Sequence, residues 1–294
     1  MDEWHIGDPV DWGDGWMDAQ NWGRRDSDED EEEDNTFDNT QFRINEYSKK
    51  AWNYYMDFKD EDALYYINLA LDLDNRHANN WNRKAIILES LKRYAESEEC
   101  YNRSLELSRD NIVSDNKARM LLTWSYQLLE ESKNLKNGLY KLEEAEDKLI
   151  SAIYALSPDG DEDIEKYFRM RDSIHFSMDY EKKFQKNLET LKKYDKSELF
   201  TITKRGFKNK VIYTSGMPLK LVKEPDNEFD KDAIAVYAQD VKIGYVANKD
   251  YTKYELTSSA SQLQDKIDDT AEGAYLFYLE RYSKIRFSIG RIIR

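Results

Sequence analysis

Apolar side chains recur at helical spacing through residues 41–196, and their pattern repeats after 34 residues. Across this offset, large residues match large ones and small residues match small ones. The matched pairs are Tyr47 and Trp81, Ala51 and Ala85, Tyr54 and Leu88, Ala63 and Ser97, Ile67 and Tyr101, Ala70 and Ser104, and Leu73 and Leu107. Small residues let two helices approach closely, and large ones fill the gaps between them. The sequence therefore predicts repeated helix pairs.

A less regular third unit follows the two repeats. Asn116–Glu131 and Leu139–Leu156 each place apolar residues on one helical face, which predicts two more helices. Glu162–Lys193 continues the helical pattern. We interpret this last stretch as a cap, because a stack of repeats must cover its open end.

The period changes from helical to alternating at Leu199, which predicts a β domain over residues 198–294. The predicted strands are Phe200–Thr203, Leu219–Val222, Ala233–Val236, Lys242–Val246, Ala274–Leu279 and Lys284–Ile292. A short helix is predicted at Ser258–Ile267. The expected fold class is therefore α+β multidomain, an all-α solenoid followed by a small antiparallel sheet or barrel.

The net charge of -15 is concentrated at one end of the chain. Residues 1–40 carry 15 acids and 2 bases, whereas residues 198–294 carry 14 acids and 16 bases. A strongly acidic protein is usually a poor candidate for nucleic-acid binding. Here that objection applies only to the first 40 residues, because the β domain has a net charge of +2.

The first 40 residues are predicted to form a disordered acidic tail, since eight of the nine residues from Asp26 to Asp34 are acids. Four tryptophans, Trp4, Trp12, Trp16 and Trp22, lie before that run. The tail has three interpretations: a solubilising segment, a motif that docks on a partner or on this protein's own basic surface, or a mimic of single-stranded nucleic acid.

Several functional classes lack support in the sequence. Cys100 is the one cysteine, so an internal disulfide framework and a cysteine-based zinc site are excluded. No phosphate-binding glycine loop and no nucleophile–histidine arrangement occurs. No apolar run approaches the length of a membrane span. We expect a non-enzymatic protein without cofactor or metal and without membrane association, cytoplasmic or, in a eukaryotic cell, nuclear.

The 34-residue period and its large and small positions resemble the tetratricopeptide repeat family. That resemblance implies a scaffold with a groove for an unknown protein partner. Trp52 and Arg83 are our candidates for groove contacts. The family's clamp for acidic peptide ends is not supported, because Trp52 and Ile86 occupy the positions of its asparagines. His77, His175 and Cys100 are interpreted as structural.

The segment from Leu219 to Tyr237, followed by Ile243-Gly-Tyr-Val, resembles the HIRAN domain. It contains that family's Glu-Pro-x-Asn turn, its aromatic-Asp-x-x-Ala-Ile-x-Val run and its Gly-Tyr-Val strand at matching spacing. The resemblance implies an OB-like barrel that binds single-stranded DNA, with the 3′ end in a pocket. On this basis Asn227, Phe229 and Asp230 are candidate nucleic-acid-binding residues. The alternative is that Pro225, Asn227 and Asp230 belong to a loop satisfied by its own hydrogen bonds.

Six bases and no acid lie between Leu199 and Lys223, with Phe207 and Tyr213 among them. Cations beside aromatic rings suit a surface that tracks a nucleic-acid backbone and stacks its bases. The resemblance to the HIRAN domain implies a cationic and an aromatic residue of the pocket near the end of the first strand, and on this basis Arg205, Phe207 and Lys208 are further candidates. A solvated, charged edge strand is the alternative interpretation.

The sequence thus predicts an adaptor. Its β domain would bind single-stranded DNA in DNA repair or replication, and its helical repeats would bind a protein partner. The alternative hypothesis is a purely protein–protein interaction scaffold with no nucleic-acid binding.

Overall fold

The computed structural model describes residues 34–157, 163–204, 207, 211–280 and 286–293. Seven α-helices are described before the β domain. They are α1 Asp34–Met56, α2 Asp60–Leu73, α3 Ala78–Ser90, α4 Tyr94–Leu107, α5 Asn111–Asn134, α6 Leu139–Ala155 and α7 Ile164–Leu191. None of these helices, within the described ranges, has the length and apolar character needed to cross a membrane.

Helices α1 to α6 form three hairpins, α1 with α2, α3 with α4 and α5 with α6, and consecutive hairpins pack on one another. The small residues of the period lie at the helix contacts: Ala51, Ala63, Ala85 and Ser97 are all fully buried. The Ser97 hydroxyl donates to the carbonyl oxygen of Ala85 at 2.8 Å, so its polar atom is satisfied inside the core. The predicted tetratricopeptide-like stack is confirmed.

Two helices begin earlier than predicted. Helix α1 begins at Asp34, so the end of the predicted 1–40 tail is helical, whereas residues 1–33 lie outside the described residues. Helix α5 begins at Asn111 rather than Asn116, because the Asp110 carboxylate accepts a hydrogen bond from the Ile112 backbone N–H at 2.8 Å and caps the helix. The first residues of α1, Asp34 to Thr36, are polar and give no apolar signal. The start of α5 includes Val113, which is buried in the stack, so the earlier start extends the apolar face predicted from Asn116.

The turns within the first two hairpins share an unusual backbone conformation. Phe58, between α1 and α2, has φ 57°, and Lys92, between α3 and α4, has φ 58°. These residues are 34 positions apart, so the repeat extends to the turn. Glycine adopts this left-handed conformation without steric cost, whereas other residues pay for it.

Six antiparallel strands form a closed barrel in the order β1-β4-β3-β2-β5-β6. Their bounds are β1 Leu199–Thr203, β2 Pro218–Lys223, β3 Ile234–Ala238, β4 Val241–Val246, β5 Thr270–Glu280 and β6 Arg286–Ile292. A short helix, α8 Ala260–Leu263, begins at a Ser259 capping box. Strand β1 closes the barrel by pairing with β6 on one side and β4 on the other. The predicted small barrel with a minor helix is confirmed.

Gly244 lets β4 approach β1 closely. A Cβ at this position would lie 2.1 Å from the carbonyl oxygen of Thr203, a distance no side chain can tolerate. Thr203 is the Cα partner of Tyr245 across this contact. The glycine of the Gly-Tyr-Val segment therefore sets the distance between the two strands that carry the candidate site.

Helix α7 packs against the barrel through an apolar cluster. The buried members of this cluster are Phe184, Leu191, Leu199, Leu276, Leu279 and Ile289. Two come from α7, and the others come from β1, β5 and β6. Helix α7, predicted as a cap for the helical stack, thus also packs against the barrel, in a cluster that is separate from the barrel core around Phe200 and Leu221.

Candidate functional site

The turn between β2 and β3 holds three of the predicted residues together. The Asn227 side-chain oxygen accepts hydrogen bonds from the backbone N–H groups of Phe229 at 3.0 Å and Asp230 at 3.3 Å. The Asp230 carboxylate accepts from the Asp232 backbone N–H at 3.0 Å and from the Asn248 amide at 2.9 Å. These contacts give Asn227 and Asp230 structural roles in shaping the turn.

Phe229 is different, because its ring takes no part in holding the turn. Its side chain is 94% exposed, although the backbone beneath it is fixed by Asn227. A large apolar ring held in water on an ordered turn carries a hydration cost that a partner surface would remove. Phe229 is therefore the candidate residue of this turn whose side chain is available for a ligand.

A cluster of three polar side chains anchors the turn to β4. The Lys242 ammonium lies 2.6 Å from a carboxylate oxygen of Glu224, and the Tyr245 hydroxyl donates to the other oxygen at 3.0 Å. The Asn227 amide reaches the same Tyr245 hydroxyl at 3.3 Å. Partial burial pushes the pKa of Glu224 upward, but the hydrogen bonds from Lys242, Asn227 and Tyr245 outweigh it and hold that pKa below its usual range.

Sequence reasoning missed this polar cluster, although Glu224 and Tyr245 both belong to the segments that resemble the HIRAN motif. Lys242 and Tyr245 are three residues apart on β4 and reach Glu224 across β3 only once β2, β3 and β4 have paired. The cluster fixes the orientation of the turn and therefore of Phe229.

Phe207 contacts the ring of Tyr245, whose hydroxyl belongs to the polar cluster. The two ring centres are 5.8 Å apart in an edge-to-face arrangement. The structure thus brings Phe207 near the turn of Asn227 and Phe229, with Tyr245 between them. The candidates Arg205 and Lys208 lie outside the described residues.

The candidate groove residues of the helical stack contact each other. The Arg83 guanidinium lies 5.7 Å from the Trp52 ring centre and donates to the Ser48 hydroxyl at 2.5 Å. The Ser48 hydroxyl donates in turn to the Asn80 side-chain oxygen at 2.6 Å. Burial lowers the pKa of Arg83, and no charged group of the described residues offsets that burial. The arrangement presents a partly desolvated cation on an aromatic ring.

A half-buried carboxylate, Glu89, lies deeper in the stack and was not predicted. Burial raises the pKa of Glu89 to about 7, although Arg119 and the Tyr101 hydroxyl, which donates to Glu89 at 3.4 Å, both act to lower it. Arg119 also donates to the side-chain oxygen of Asn116. Only the meeting of α3, α4 and α5 creates this group, so no sequence pattern marks it.

The remaining candidates have structural surroundings. Cys100 is buried, and burial raises the pKa of its thiol to about 11, which makes the thiolate scarce at neutral pH. His175 lies 2.6 Å from the Glu146 carboxylate and links α7 to α6. His77 is the residue before α3, and its backbone carbonyl accepts from Asn80.

The fold defines the class of this protein: a tetratricopeptide-like helical stack joined to a closed six-stranded antiparallel barrel. No protein-family model matches the chain, and no curated protein matches it. The resemblance to the HIRAN domain therefore stays a prediction.

Solved structures similar to this chain match its helical part. One is the first tetratricopeptide repeat domain of Spaghetti bound to an HSP90 peptide, 18% identical over 45% of this chain and 92% of that chain, with a TM-score of 0.29. Another is the Yersinia enterocolitica type III secretion chaperone SycD in complex with a peptide of the translocator YopD, 16% identical over 45% of this chain and 89% of that chain, with a TM-score of 0.31.

Proposed function

We propose that this protein is a non-enzymatic adaptor whose barrel binds single-stranded DNA and whose helical stack binds a protein partner, in DNA repair or replication. The observation that supports DNA binding is Phe229, an exposed ring on a turn braced by Asn227, Asp230 and Tyr245. An immobilised ring that is open to solvent is a stacking platform for an unpaired base.

The surroundings of Phe229 fit the same role. Phe207 supplies a second ring near the turn, and the segment from Leu199 to Lys223 supplies cations without a single acid. Single-stranded DNA needs both features, since its backbone is attracted by cations and its bases stack on rings. The resemblance to the HIRAN domain adds the 3′ end as the part of the strand that the turn would hold.

The test is a titration of the full chain with a single-stranded oligonucleotide at several salt concentrations. Phe229→Ala should weaken binding by roughly five- to 150-fold, because one stacked base contributes about 1–3 kcal/mol. Phe176→Ala is the matched control, since Phe176 is also a phenylalanine and is 72% exposed on α7. An oligonucleotide affinity that does not change with salt concentration, or that is the same for Phe229→Ala and the natural chain, would contradict DNA binding. Oligonucleotides blocked at the 3′ end test the polarity.

For the helical stack, we propose a peptide partner that places a carboxylate at Arg83. Burial already weakens the hydration of this guanidinium, and no carboxylate of the described residues pairs with it. An incoming carboxylate would complete a bidentate ion pair that Ser48 alone does not provide. The Trp52 ring would stabilise the Arg83 cation through the cation–π contact already present.

A pull-down with the natural chain and with Arg83→Met tests this part of the proposal. Met keeps the apolar stem of the side chain and removes the charge, so a partner that uses Arg83 should be lost. Arg103→Met on α4, where Arg103 pairs with Glu106 at the surface, is the control and should retain the partner. A partner recovered equally with both variants would contradict the role of Arg83. A stoichiometric protein partner together with no DNA binding would favour the purely protein–protein scaffold.

A further inference from the structure

A cavity of about 610 Å³ opens at one end of the barrel, on the β6 side of β1. It is bounded by the end of β1, by β5, by β6 and by the segment of Tyr251 and Thr252. Its volume lies within the range of small-molecule sites, about 300–1,000 Å³. Asn227, Phe229 and Asp230 do not line it, so it is separate from the turn described above.

The chemistry of the wall is selective. Among the described residues that line the cavity there is no acid, whereas two are cations, Lys204 and Arg286. Five aromatic residues complete most of the wall. They are Tyr213, Tyr251, Tyr275, Tyr278 and Phe287. A wall of rings and cations without carboxylates favours a ligand that is both aromatic and anionic.

Lys204 is the unusual residue of this cavity. Alternation along β1 carries it to the side of Phe200 and Ile202, which belong to the barrel core. Its ammonium lies 3.3 Å from the centre of the Tyr213 ring and 5.9 Å from that of Tyr275. Burial lowers the pKa of Lys204 to about 8, and no carboxylate among the described residues compensates for the lost water. A desolvated cation without a counter-ion is costly, and a bound anion would offset that cost.

The second cation of the cavity, Arg286, differs from Lys204 because it has a carboxylate partner. Arg286 pairs with the Glu280 carboxylate at 2.7 Å and lies 5.7 Å from the Tyr278 ring centre. Its charge is therefore already balanced within the chain. Because Tyr278 and Tyr251 are both partly exposed, rings remain accessible at the cavity for a planar group.

We propose that this cavity binds one phosphorylated nucleoside, with the phosphate at Lys204 and the base against the tyrosine rings. The ligand is either a free mononucleotide or the phosphorylated end of a strand, and in the second case the inference rests on the proposed DNA binding of the barrel. Lys204 and Phe207 lie close together, since the Phe207 backbone N–H donates to the Lys204 carbonyl at 3.1 Å. A strand at the Phe229 turn would therefore pass close to the cavity.

Calorimetric titration of the full chain tests the proposal with three probes: thymidine monophosphate, thymidine and inorganic phosphate. Thymidine monophosphate should bind more tightly than either part alone. Lys204→Gln should weaken its binding at least about tenfold, since a hydrogen bond to a charged group contributes about 1.5–3 kcal/mol. Lys204→Arg should retain most of the affinity because the charge is kept. Lys266→Gln, at an exposed lysine of the same domain, should bind like the natural chain.

Thermal unfolding of each variant shows whether Lys204→Gln has kept its fold, which we expect because the substitution removes a desolvated charge. A natural chain that does not bind thymidine monophosphate, or a folded Lys204→Gln chain that binds it normally, overturns the inference. Oligothymidine with and without a terminal phosphate separates the two sources of the ligand, because only a strand-end site prefers the phosphorylated strand.

The two proposals fail independently. Phe229→Ala and oligonucleotide affinity decide the proposed DNA binding, whereas Lys204→Gln and mononucleotide affinity decide the cavity. If the oligonucleotide binds through Phe229 but thymidine monophosphate does not bind, only the cavity inference is wrong. If thymidine monophosphate binds through Lys204 while Phe229 is irrelevant, the cavity inference stands and the proposed function fails.

Discussion

Glu89 is a carboxylic acid whose burial makes the stability of the helical stack depend on pH. Its pKa is raised to about 7 in the folded chain from 4.5 in the open chain, so the folded state binds the proton more tightly. Stability is then greatest below the unfolded pKa and falls as the pH rises toward 7. Above pH 7 the carboxylate is ionised in both states, and the loss is complete.

We predict that Glu89→Gln removes this pH dependence. A shift of this size corresponds to roughly 3 kcal/mol between the two limits. The amide keeps the shape and carries no charge, so the variant should gain stability at pH 8 relative to the natural chain and little or nothing at pH 5. Urea unfolding at pH 5 and pH 8 measures the free energy of unfolding of both chains. Glu99→Gln, at an exposed position of α4, serves as the control and should leave both values unchanged. Equal pH profiles for Glu89→Gln and the natural chain would contradict the argument.

Lys204 allows a chemical prediction at the residue scale. With a pKa of about 8, an appreciable fraction of its amine is uncharged at pH 7.5, and only the uncharged amine attacks an acylating reagent. Brief treatment with a limiting amount of an amine-selective ester should label Lys204 before Lys266. Peptide mapping by mass spectrometry measures the order. If Lys266 is labelled first at every pH between 7 and 8, the lowered pKa of Lys204 is wrong.

At the scale of elements, the left-handed turn at Phe58 offers a gain in stability. The φ of 57° costs a residue other than glycine about 1–2 kcal/mol, whereas glycine adds about 0.5–1 kcal/mol of entropy to the unfolded chain. Phe58 is 92% exposed, so its ring contributes little packing. We therefore predict that Phe58→Gly raises the free energy of unfolding by up to about 1 kcal/mol.

Lys59→Gly is the matched control for that substitution, and urea unfolding measures both variants. Lys59 is adjacent and exposed, but its φ is -106°, so glycine there relieves no left-handed strain, adds unfolded-state entropy and should lower stability. A Phe58→Gly chain as unstable as Lys59→Gly would show that the turn is not strained. Such a result would direct attention to the Phe58 ring as a packing residue.

The elements also show how far sequence patterns reach in this protein. The helices and strands could be predicted because each has an apolar face. The matched large and small residues 34 positions apart also identified the first two helix pairs as repeats. The start of α1 at Asp34 could not, since its first residues are polar and form no apolar stripe. The turn motif around Asn227 was visible because local turns depend on neighbouring residues.

The sites formed by distant residues were beyond sequence reasoning. The Lys204 cavity needs the ends of β1, β5 and β6 to meet, and Glu89 becomes buried only between three helices. Lys204 was visible only as one of six cations in an acid-free stretch. Its position beside the Tyr213 ring, where burial lowers its pKa, is a property of the folded barrel and not of the local sequence.

At the scale of the whole molecule, α7 joins the two structural parts. Phe184 and Leu191 on one side of this helix are buried with Leu279 and Ile289 of the barrel, while other residues of α7, such as Met170 and Ile174, lie in the core of the stack. A helix that packs against both the stack and the barrel favours a fixed arrangement over two tethered domains. A partner on the stack and a ligand on the barrel would therefore be held at a defined separation.

The polarised charge supports a final prediction about regulation. Residues 1–33 carry 13 acids and 2 bases, whereas the barrel domain has a net charge of +2. If the acidic segment competes with DNA for the cations of the barrel, a chain lacking residues 1–33 should bind single-stranded DNA several-fold more tightly at low salt. The difference should disappear at high salt, because screening shortens the reach of charges from about 30 Å at 0.01 M to about 3 Å at 1 M.

A second variant separates charge from aromatic competition within that segment. Replacing Trp4, Trp12, Trp16 and Trp22 by serine in the full chain keeps every carboxylate and removes the rings that could imitate bases. If the carboxylates compete, this variant should bind DNA like the natural chain; if the rings compete, it should bind like the shortened chain. Fluorescence anisotropy with a labelled oligonucleotide distinguishes these outcomes. DNA affinity that is identical for all three chains at low salt would show that the acidic segment does not compete for the barrel, and its charge would then serve solubility.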